Sequence, residues 1–375
     1  MMKTVIQHAD FPAGRRILMV SDIHGYATGL RTLLHEAHFC EDDILVIVGD
    51  LIEKGPENLE TLRYMMDLCR HYTVYPLMGN VDIWRLNMLL SDDEVLQQKL
   101  LRYSLKAQKW WNTSFLGELL QEIGLKLTPD LNTKSAFAQL QKHFAKEFSF
   151  IQNLPTILET QKMIFVHGGI PHENLDALRD VDGFTLLKRD CFYESGLSFN
   201  KYVVVGHWPV LLYCPHIPCA DPIIDKQRRI ISLDGGMGIK ENGQLNLVVM
   251  DDYQAESFSI LSWDGLPEIT ALEDQAASTE SFYLHWAREP VTVTPLTQEG
   301  DMTRILYQQR ELLVPTQLLS EKDGITTCDD VTDYHLPVST GDTLKLIYAN
   351  NYGCYAKKGS VTGWYRGAYK KHTRW

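Results

Sequence analysis

Three runs decide the fold: Arg16-Ile17-Leu18-Met19-Val20-Ser21-Asp22-Ile23-His24-Gly25, then Ile44-Leu45-Val46-Ile47-Val48-Gly49-Asp50-Leu51-Ile52-Glu53-Lys54-Gly55-Pro56, then Gly79-Asn80-Val81-Asp82. The first two are unbroken apolar stretches that end in glycine and a polar residue, the signature of strands buried on both faces. Helix-length amphipathic segments lie between them, from Tyr26 to Ala37 and from Asn58 to Arg70, and a further strand is expected near Tyr75. This is a βαβαβ order, which builds a parallel sheet with crossover helices. The same ending returns downstream, where Met163 to Val166 runs into His167-Gly168-Gly169 and Tyr202 to Val205 into Gly206-His207. Open α/β sheets gather ligand groups at the carboxyl ends of their strands. Asp22, His24, Asp50, Asn80, His167 and His207 are therefore expected to converge.

Taken singly, an aspartate or histidine at a strand end is more often a cap or a core residue. The set, in order and flanked by glycines that permit close backbone approach, carries the inference. Asp22-x-His24 lets two unlike ligands reach one ion from a single turn. Asp50 can bridge to a second ion, whose shell Asn80, His167 and His207 complete. Carboxylate, amide and imidazole together suit Mn, Fe or Zn better than Ca. Two such ions about 3.5 to 4 Å apart clamp an in-line displacement at phosphorus, and a water shared between them ionises near neutral pH.

With 375 residues, the chain exceeds the roughly 250 to 300 residues at which single cores stop growing, so two domains are expected. Apolar content of 45% with 22% charged residues is ordinary for a globular protein. A net charge of −12 argues against a broad basic face and hence against a nucleic-acid duplex as partner. The basic stretch Tyr369 to Trp375 reads as a solvated tail. No apolar run approaches the ~18 residues of a membrane span, and no leader-like stretch precedes the first strand, so a cytoplasmic protein is expected. The seven cysteines, an odd number, form no disulfide framework and are expected to be reduced. Cys214-Pro215-His216-Ile217-Pro218-Cys219 offers three zinc ligands but lacks a fourth.

Residues 1–255 read as the catalytic domain, with a helical insertion over about 83–160 lying across one side of the site. Val81 to Leu90, Glu94 to Trp111, Gly117 to Ile123 and Thr133 to Phe148 carry its helical spacing, with Trp84, Trp110 and Trp111 as core. Asn242-Gly243, between Met237-Gly238-Ile239 and Leu245 to Met250, signals a hairpin, and Asp234 closes a turn beside the site. Residues 256–301 read as a linker and 302–375 as a small β domain with short strands at Glu311 to Val314, Glu321 to Ile325, Thr343 to Tyr348, Cys354 to Lys357 and Gly363 to Tyr365.

The motif order Asp-x-His, Gly-Asp, Gly-Asn-x-Asp, Val-His-Gly-Gly and Gly-His over residues 17–210 resembles the calcineurin-like metallophosphoesterases. It is most similar to the phosphoprotein phosphatase branch, which includes bacterial Ser/Thr phosphatases and symmetrical diadenosine tetraphosphatases. Ile231-Ser232-Leu233-Asp234-Gly235-Gly236 adds to the likeness. The resemblance implies an α/β fold, a β-sandwich flanked by helices. It also implies one metal on Asp22, His24 and Asp50, and another on Asp50, Asn80, His167 and His207. A metal-bridging hydroxide would attack phosphorus without a phosphoenzyme. The segments 338–346, 353–356 and 363–367 resemble bacterial SH3-like domains, so 302–375 is expected to be a small SH3-like barrel. Tyr352, Trp364 and Tyr365 either fill that barrel, the favoured reading, or line a groove for a peptide partner.

The chain departs from the branch at two places. Val81 stands where the branch has histidine and cannot donate a proton to the leaving group. Asp82, whose family role is to orient that histidine, has nothing of the kind to hold, and His172 is the candidate replacement acid. General acid catalysis is typically worth about 10² to 10⁴ in rate, so poor leaving groups suffer most. Glu53-Lys54 replaces Asp-Arg; Lys54 keeps a positive charge for the substrate phosphate but loses the planar, bidentate grip of guanidinium. The expected activity is that of a dimetal phosphoester hydrolase like the Ser/Thr protein phosphatases, acting on a phosphoprotein or a small phosphoester. The alternatives are a dinucleoside polyphosphate hydrolase or phosphodiesterase, or a weakly active protein that binds phosphorylated partners.

Overall fold

The computed structural model describes residues 2–287 and 290–372. The last three residues of the basic tail lie outside them. The chain divides into two units. One holds residues up to Trp208 together with 221–239 and 244–263; the other holds 209–220, 240–243 and 264 onward.

The first unit is a two-sheet sandwich. One sheet runs Phe258–Trp263, Leu245–Met250, Ile17–Val20, Ile44–Ile47, Thr73–Pro76, and the other runs Ile6–His8, Ile157–Glu159, Met163–Val166, Tyr202–Val205, Ile230–Ser232, Ile223–Asp225. Ile17–Val20, Ile44–Ile47 and Thr73–Pro76 pair in parallel, as do Met163–Val166, Tyr202–Val205 and Ile230–Ser232. Side chains alternate across each strand. Ile17, Met19, Val46, Phe165 and Val204 therefore fill one core with residues of both sheets. Leu18, Val20, Leu45 and Ile47 turn to the helices Ala27–Glu36 and Asn58–His71, and Ile164, Val166, Val203 and Val205 to a third cluster. Apolar contact on both faces is why these runs show no polar alternation.

The insertion is helical, as expected: Asn80–Leu89, Glu94–Trp111, Phe115–Glu122, Thr133–His143 and Ala145–Gln152. Its core differs from the expectation. Trp84 and Trp110 are 41% and 66% exposed, while Leu100, Phe115, Phe137, Phe144 and Phe148 are buried. Helix Glu94–Trp111 turns its Leu100, Leu101, Ser104 and Ala107 face inward, and Trp110 in its last turn stays exposed.

Several boundaries are corrected. The catalytic unit runs on to Trp263, because Phe258–Trp263 pairs antiparallel with Leu245–Met250. That edge strand is only partly buried, so it lacks the unbroken apolar signal of its neighbours. Met237 to Ile239 forms no strand, and Leu245–Met250 pairs with Ile17–Val20 and Phe258–Trp263 rather than with that segment. The expected linker 256–301 contains three further strands, Glu268–Ala271, Tyr283–Leu284 and Val291–Glu299. Glu268–Ala271 pairs with Thr343–Asn350 and Tyr369–Lys371, partners far away in sequence that a local reading does not reveal.

The second unit is all β apart from short 3-10 turns. Apart from Val331–Thr332, which pairs with Tyr283–Leu284, the expected single barrel over 302–375 is divided between two five-stranded sheets. One contains Val361–Tyr365, Gly353–Lys358, Thr343–Asn350, Glu268–Ala271 and Tyr369–Lys371, and the other contains Arg310–Pro315, Met302–Tyr307, Val291–Glu299, Ile325–Cys328 and Leu319–Lys322. Each has its own core, around Leu344 and Tyr365 in the first and around Ile305 and Val314 in the second. Trp364 and Tyr365 are fully buried; Trp364 donates to the Thr332 carbonyl, and the single Tyr365 hydroxyl proton lies between the carbonyls of Glu273 and Ala368. These rings are packing, as favoured, and line no peptide groove. Cys214 donates its thiol to the Val210 and Cys219 carbonyls, and among the described residues no metal-ligand cluster includes it. None of the seven cysteines, all among the described residues, is in a disulfide. Among the described residues no helix is long and apolar enough to cross a membrane.

Candidate metal centre

Each expected ligand stands just beyond the carboxyl end of a core strand. Asp22 and His24 follow Ile17–Val20, Asp50 follows Ile44–Ile47, His167 follows Met163–Val166, and His207 follows Tyr202–Val205. Asn80 opens the helix Asn80–Leu89 just after Thr73–Pro76. The backbone at these positions is unusual. Asp22, His24, Asp50 and His207 have φ of 52°, 47°, 52° and 68°, in the left-handed region that non-glycine residues seldom adopt. Such conformations persist only where surrounding contacts over-determine them. Here the amides of Asp22 and His24 donate to the Gly49 and Asp50 carbonyls, and the His207 amide donates to Asp22 Oδ2 at 3.0 Å.

Two glycines make room for this crowding. A Cβ at Gly206 would lie 2.3 Å from Asp22 Oδ2, and one at Gly79 would lie 2.0 Å from the Asp50 amide nitrogen. The six side chains are thereby drawn into a nearly solvent-free cluster. His24 Nε2 lies 3.8 Å from Asp22 Oδ1 and 3.7 Å from Asp50 Oδ2. His167 Nε2 lies 3.0 Å from Asn80 Oδ1 and 3.4 Å from Asp50 Oδ1, and the His167 and His207 rings are 5.3 Å apart. Asp50 stands between the two groups, as a shared ligand must.

The residues fit a divalent ion. One ligand atom from each of Asp22, His24 and Asp50 lies within 4.8 Å of the others, and Asp22 Oδ1 is buried without a hydrogen-bond partner. His24 Nδ1 donates to the Ile52 carbonyl at 3.2 Å and His167 Nδ1 to that of Val48 at 2.8 Å. These bonds orient both rings and turn each Nε2 towards the carboxylates, where it could ligate an ion. The charges are strongly coupled. Burial opposes ionisation of Asp50, but the charge and hydrogen bond of His167, together with the charges of His24 and Lys54, outweigh it and hold the carboxyl far below its usual range. Burial likewise opposes a charge on His167, yet Asp50 and Asp22 push it up to about 10. Asp22 rises to about 6 through burial, relieved in part by His167. Burial and the neighbouring Lys54 lower His24 to about 3.

The other expected site residues fall differently. Asp82 is fully buried and accepts the amides of Leu51 at 2.9 Å, Ile52 at 3.2 Å and Gly79 at 3.1 Å. It clamps the Asp50 loop to the start of the Asn80 helix. His172, the candidate replacement acid, lies exposed on the loop before Leu175–Leu178. The Val81 side chain offers no proton, and its amide donates to Asp50 Oδ1 at 2.9 Å. Lys54 is inside the cluster, with Nζ 2.8 Å from His24 Nε2. Asp234 Oδ1 accepts the Gly236 amide, closing a turn as expected, while its buried Oδ2 has no partner.

Two contacts were not anticipated. Asp190 Oδ1 lies 2.9 Å from His207 Nε2, a carboxylate that orients the ring from behind. The fully buried Glu53 accepts from Arg85 Nε at 3.0 Å, and the guanidinium stacks 3.7 Å above Tyr103. Arg85 follows Val81 by four residues, so it lies on the same helix face one turn on. That spacing was the available sign; nothing in the local sequence marks Asp190.

Comparison with known proteins gives a consistent picture. The family model for calcineurin-like phosphoesterases matches residues 15–228, more than half of the chain. A symmetrical bis(5'-nucleosyl)-tetraphosphatase of Pseudomonas syringae is 40% identical over 68 residues, 18% of this chain and 23% of that protein. The serine/threonine-protein phosphatase 2 of Salmonella typhimurium is 44% identical over 64 residues, 16% of this chain and 29% of that one. The matched stretch thus spans about a quarter of these curated relatives. Among solved structures, a metallophosphoesterase from Sphaerobacter thermophilus aligns over 68% of this chain and 89% of its own, with 16% identity and a TM-score of 0.36.

Proposed function

The chain belongs to the calcineurin-like phosphoesterases, and from that premise we propose a two-ion phosphoester hydrolase whose favoured substrates have leaving groups that need no proton, dinucleoside polyphosphates foremost. The observation that carries the substrate preference is the missing acid. Val81 offers no proton, and His172 is solvent-exposed, unlike the buried carboxylates and imidazoles of the cluster. A nucleotide phosphate leaves as a stable anion, whereas a serine alkoxide needs protonation.

Asp22, His24 and Asp50 hold one ion in this reading, and Asp50, Asn80, His167 and His207 hold the other. Bound divalent ions supply Lewis acidity and an activated water for displacement at phosphorus. The protein's part is positioning. Backbone carbonyls of Ile52 and Val48 fix two imidazoles, Asp190 fixes the third, and Asp82 locks the loop that carries Asp50. The cluster is buried, so charges act there with less screening than at the surface. Likeness over short stretches to a protein named as a Ser/Thr phosphatase supports a second reading, in which phosphoproteins are the substrate.

The test compares hydrolysis of diadenosine tetraphosphate, an aryl phosphomonoester, an aryl phosphodiester and a phosphoserine peptide by metal-loaded wild type and Asp50→Asn. Preference for the tetraphosphate, abolished in Asp50→Asn, is the expected result. A preference for the phosphopeptide would overturn the leaving-group argument, and binding of substrate without turnover sensitive to the mutation would overturn the hydrolase reading.

A further inference from the structure

The ammonium of Lys54 is not free to meet a substrate. It lies 2.8 Å from Nε2 of His24. Because Nδ1 of that ring donates to the Ile52 carbonyl, Nε2 holds the lone pair and Lys54 donates to it. An ion held by Asp22, His24 and Asp50 needs the same lone pair. One lone pair cannot serve both cations.

The root of Lys54 is fixed. Glu53 and Lys54 have φ of 73° and 75°, and a Cβ at the following Gly55 would lie 2.2 Å from the His24 carbonyl oxygen. Gly238 closes the other side, where an added Cβ would come 3.1 Å from Lys54 Cβ. The stem therefore enters the cluster from a defined point and only its flexible end can move. Two buried carboxylate oxygens in this neighbourhood, Asp22 Oδ1 and Asp234 Oδ2, have no hydrogen-bond partner. Burial disfavours the Lys54 charge and lowers its pKa, and the carboxylates of Asp50, Asp22 and Asp234 oppose this. A buried ammonium left without a partner is costly, so a displaced one requires an acceptor.

We propose that Lys54 is a tethered cation that caps His24 in the metal-free protein and is displaced toward Asp234 when the first ion binds. This rests on the two-ion reading of the centre. Loading of that ion is then a cation exchange, and the first position is weaker than its ligands alone would make it.

The test is titration of the full chain with Mn²⁺ alone, followed calorimetrically, for wild type, Lys54→Met, Lys54→Gln, His24→Ala and the His24→Ala/Lys54→Met double variant. Circular dichroism checks that each is folded. Both Lys54 substitutions are expected to tighten one of two binding steps by about tenfold or more, the worth of a charge-assisted hydrogen bond, and to leave the other unchanged. His24→Ala should remove the affected step, and Lys54→Met should then have no effect. Asp234→Asn should weaken that step in wild type but not in Lys54→Met. Two steps indifferent to Lys54 would overturn the tether and leave the two-ion reading intact. Equal tightening of both steps, persisting without His24, would reduce Lys54 to a diffuse charge effect and overturn the proposal. A single step in wild type and every Lys54 variant would instead sink the two-ion reading, and the tether with it.

Discussion

Arg85→Met isolates the buried ion pair behind the metal centre. Glu53 is fully buried, accepts from Arg85 Nε at 3.0 Å, and has a second oxygen with no partner. Methionine keeps the apolar contact with Tyr103 but leaves the carboxylate alone. Removing one partner of a buried pair costs about 3 to 5 kcal/mol. An upper limit follows from proton chemistry. The orphaned carboxyl escapes its penalty by protonating, and for a group that normally titrates near 4.3 this costs about 4 kcal/mol at about pH 7.5. At about pH 5.5 the same limit falls to about 1.6 kcal/mol. The destabilisation should therefore shrink on acidification, because burial already raises the Glu53 pKa and Arg85 is what opposes that rise. For a unit of this size about 4 kcal/mol corresponds to a melting shift of roughly 8 to 16 °C. Thermal unfolding followed by circular dichroism at the two pH values measures it. Glu53→Gln/Arg85→Met, with no charge to strand, should recover to within about 2 kcal/mol of wild type. A loss that is independent of pH, or a double variant as unstable as the single one, would refute the argument.

Three further outcomes follow from the site. Val81→His restores an imidazole while keeping the backbone donor to Asp50, and should speed hydrolysis of an alkyl phosphate by up to about 10²-fold while leaving an aryl phosphate nearly unchanged, as steady-state rates will show. Asp190→Asn removes the carboxylate that orients His207 and should weaken Mn²⁺ binding by about 10- to 100-fold in a calorimetric titration. In the metal-free protein His167 stays protonated up to about 10, so at neutral pH ion binding must expel that proton. Mn²⁺ affinity should rise by up to about tenfold per pH unit, with about one proton released from His167, measured by titration in buffers of different ionisation enthalpy.

Most of the catalytic unit is legible in the sequence because its strands are buried on both faces, and burial of that kind writes itself as unbroken apolar runs. The ends of those runs locate Asp22, Asp50, His167 and His207 without any knowledge of their neighbours. The outer parts are harder to read. Phe258–Trp263 is a half-buried edge, and Glu268–Ala271 finds its partners some 75 and 100 residues away, so neither carries a strong local signal. Division of 302–375 between two cores depends on the same distant pairings.

Within the site, residue types and order named six candidate ligands, and a local pattern can do this because each side chain is tied to its own strand end. Which remaining side chains join them was decided by tertiary structure. His172, close in sequence to His167, faces solvent, while Asp190 reaches His207 from a separate loop. Asp82, left without a histidine to orient, accepts three backbone amides. Lys54 turns onto His24 because left-handed backbone at Glu53 and Lys54 folds that loop back on the first one. Hydrogen bonds and ion pairs act over about 3 Å, and that distance is set where two sheets bring unconnected loops together.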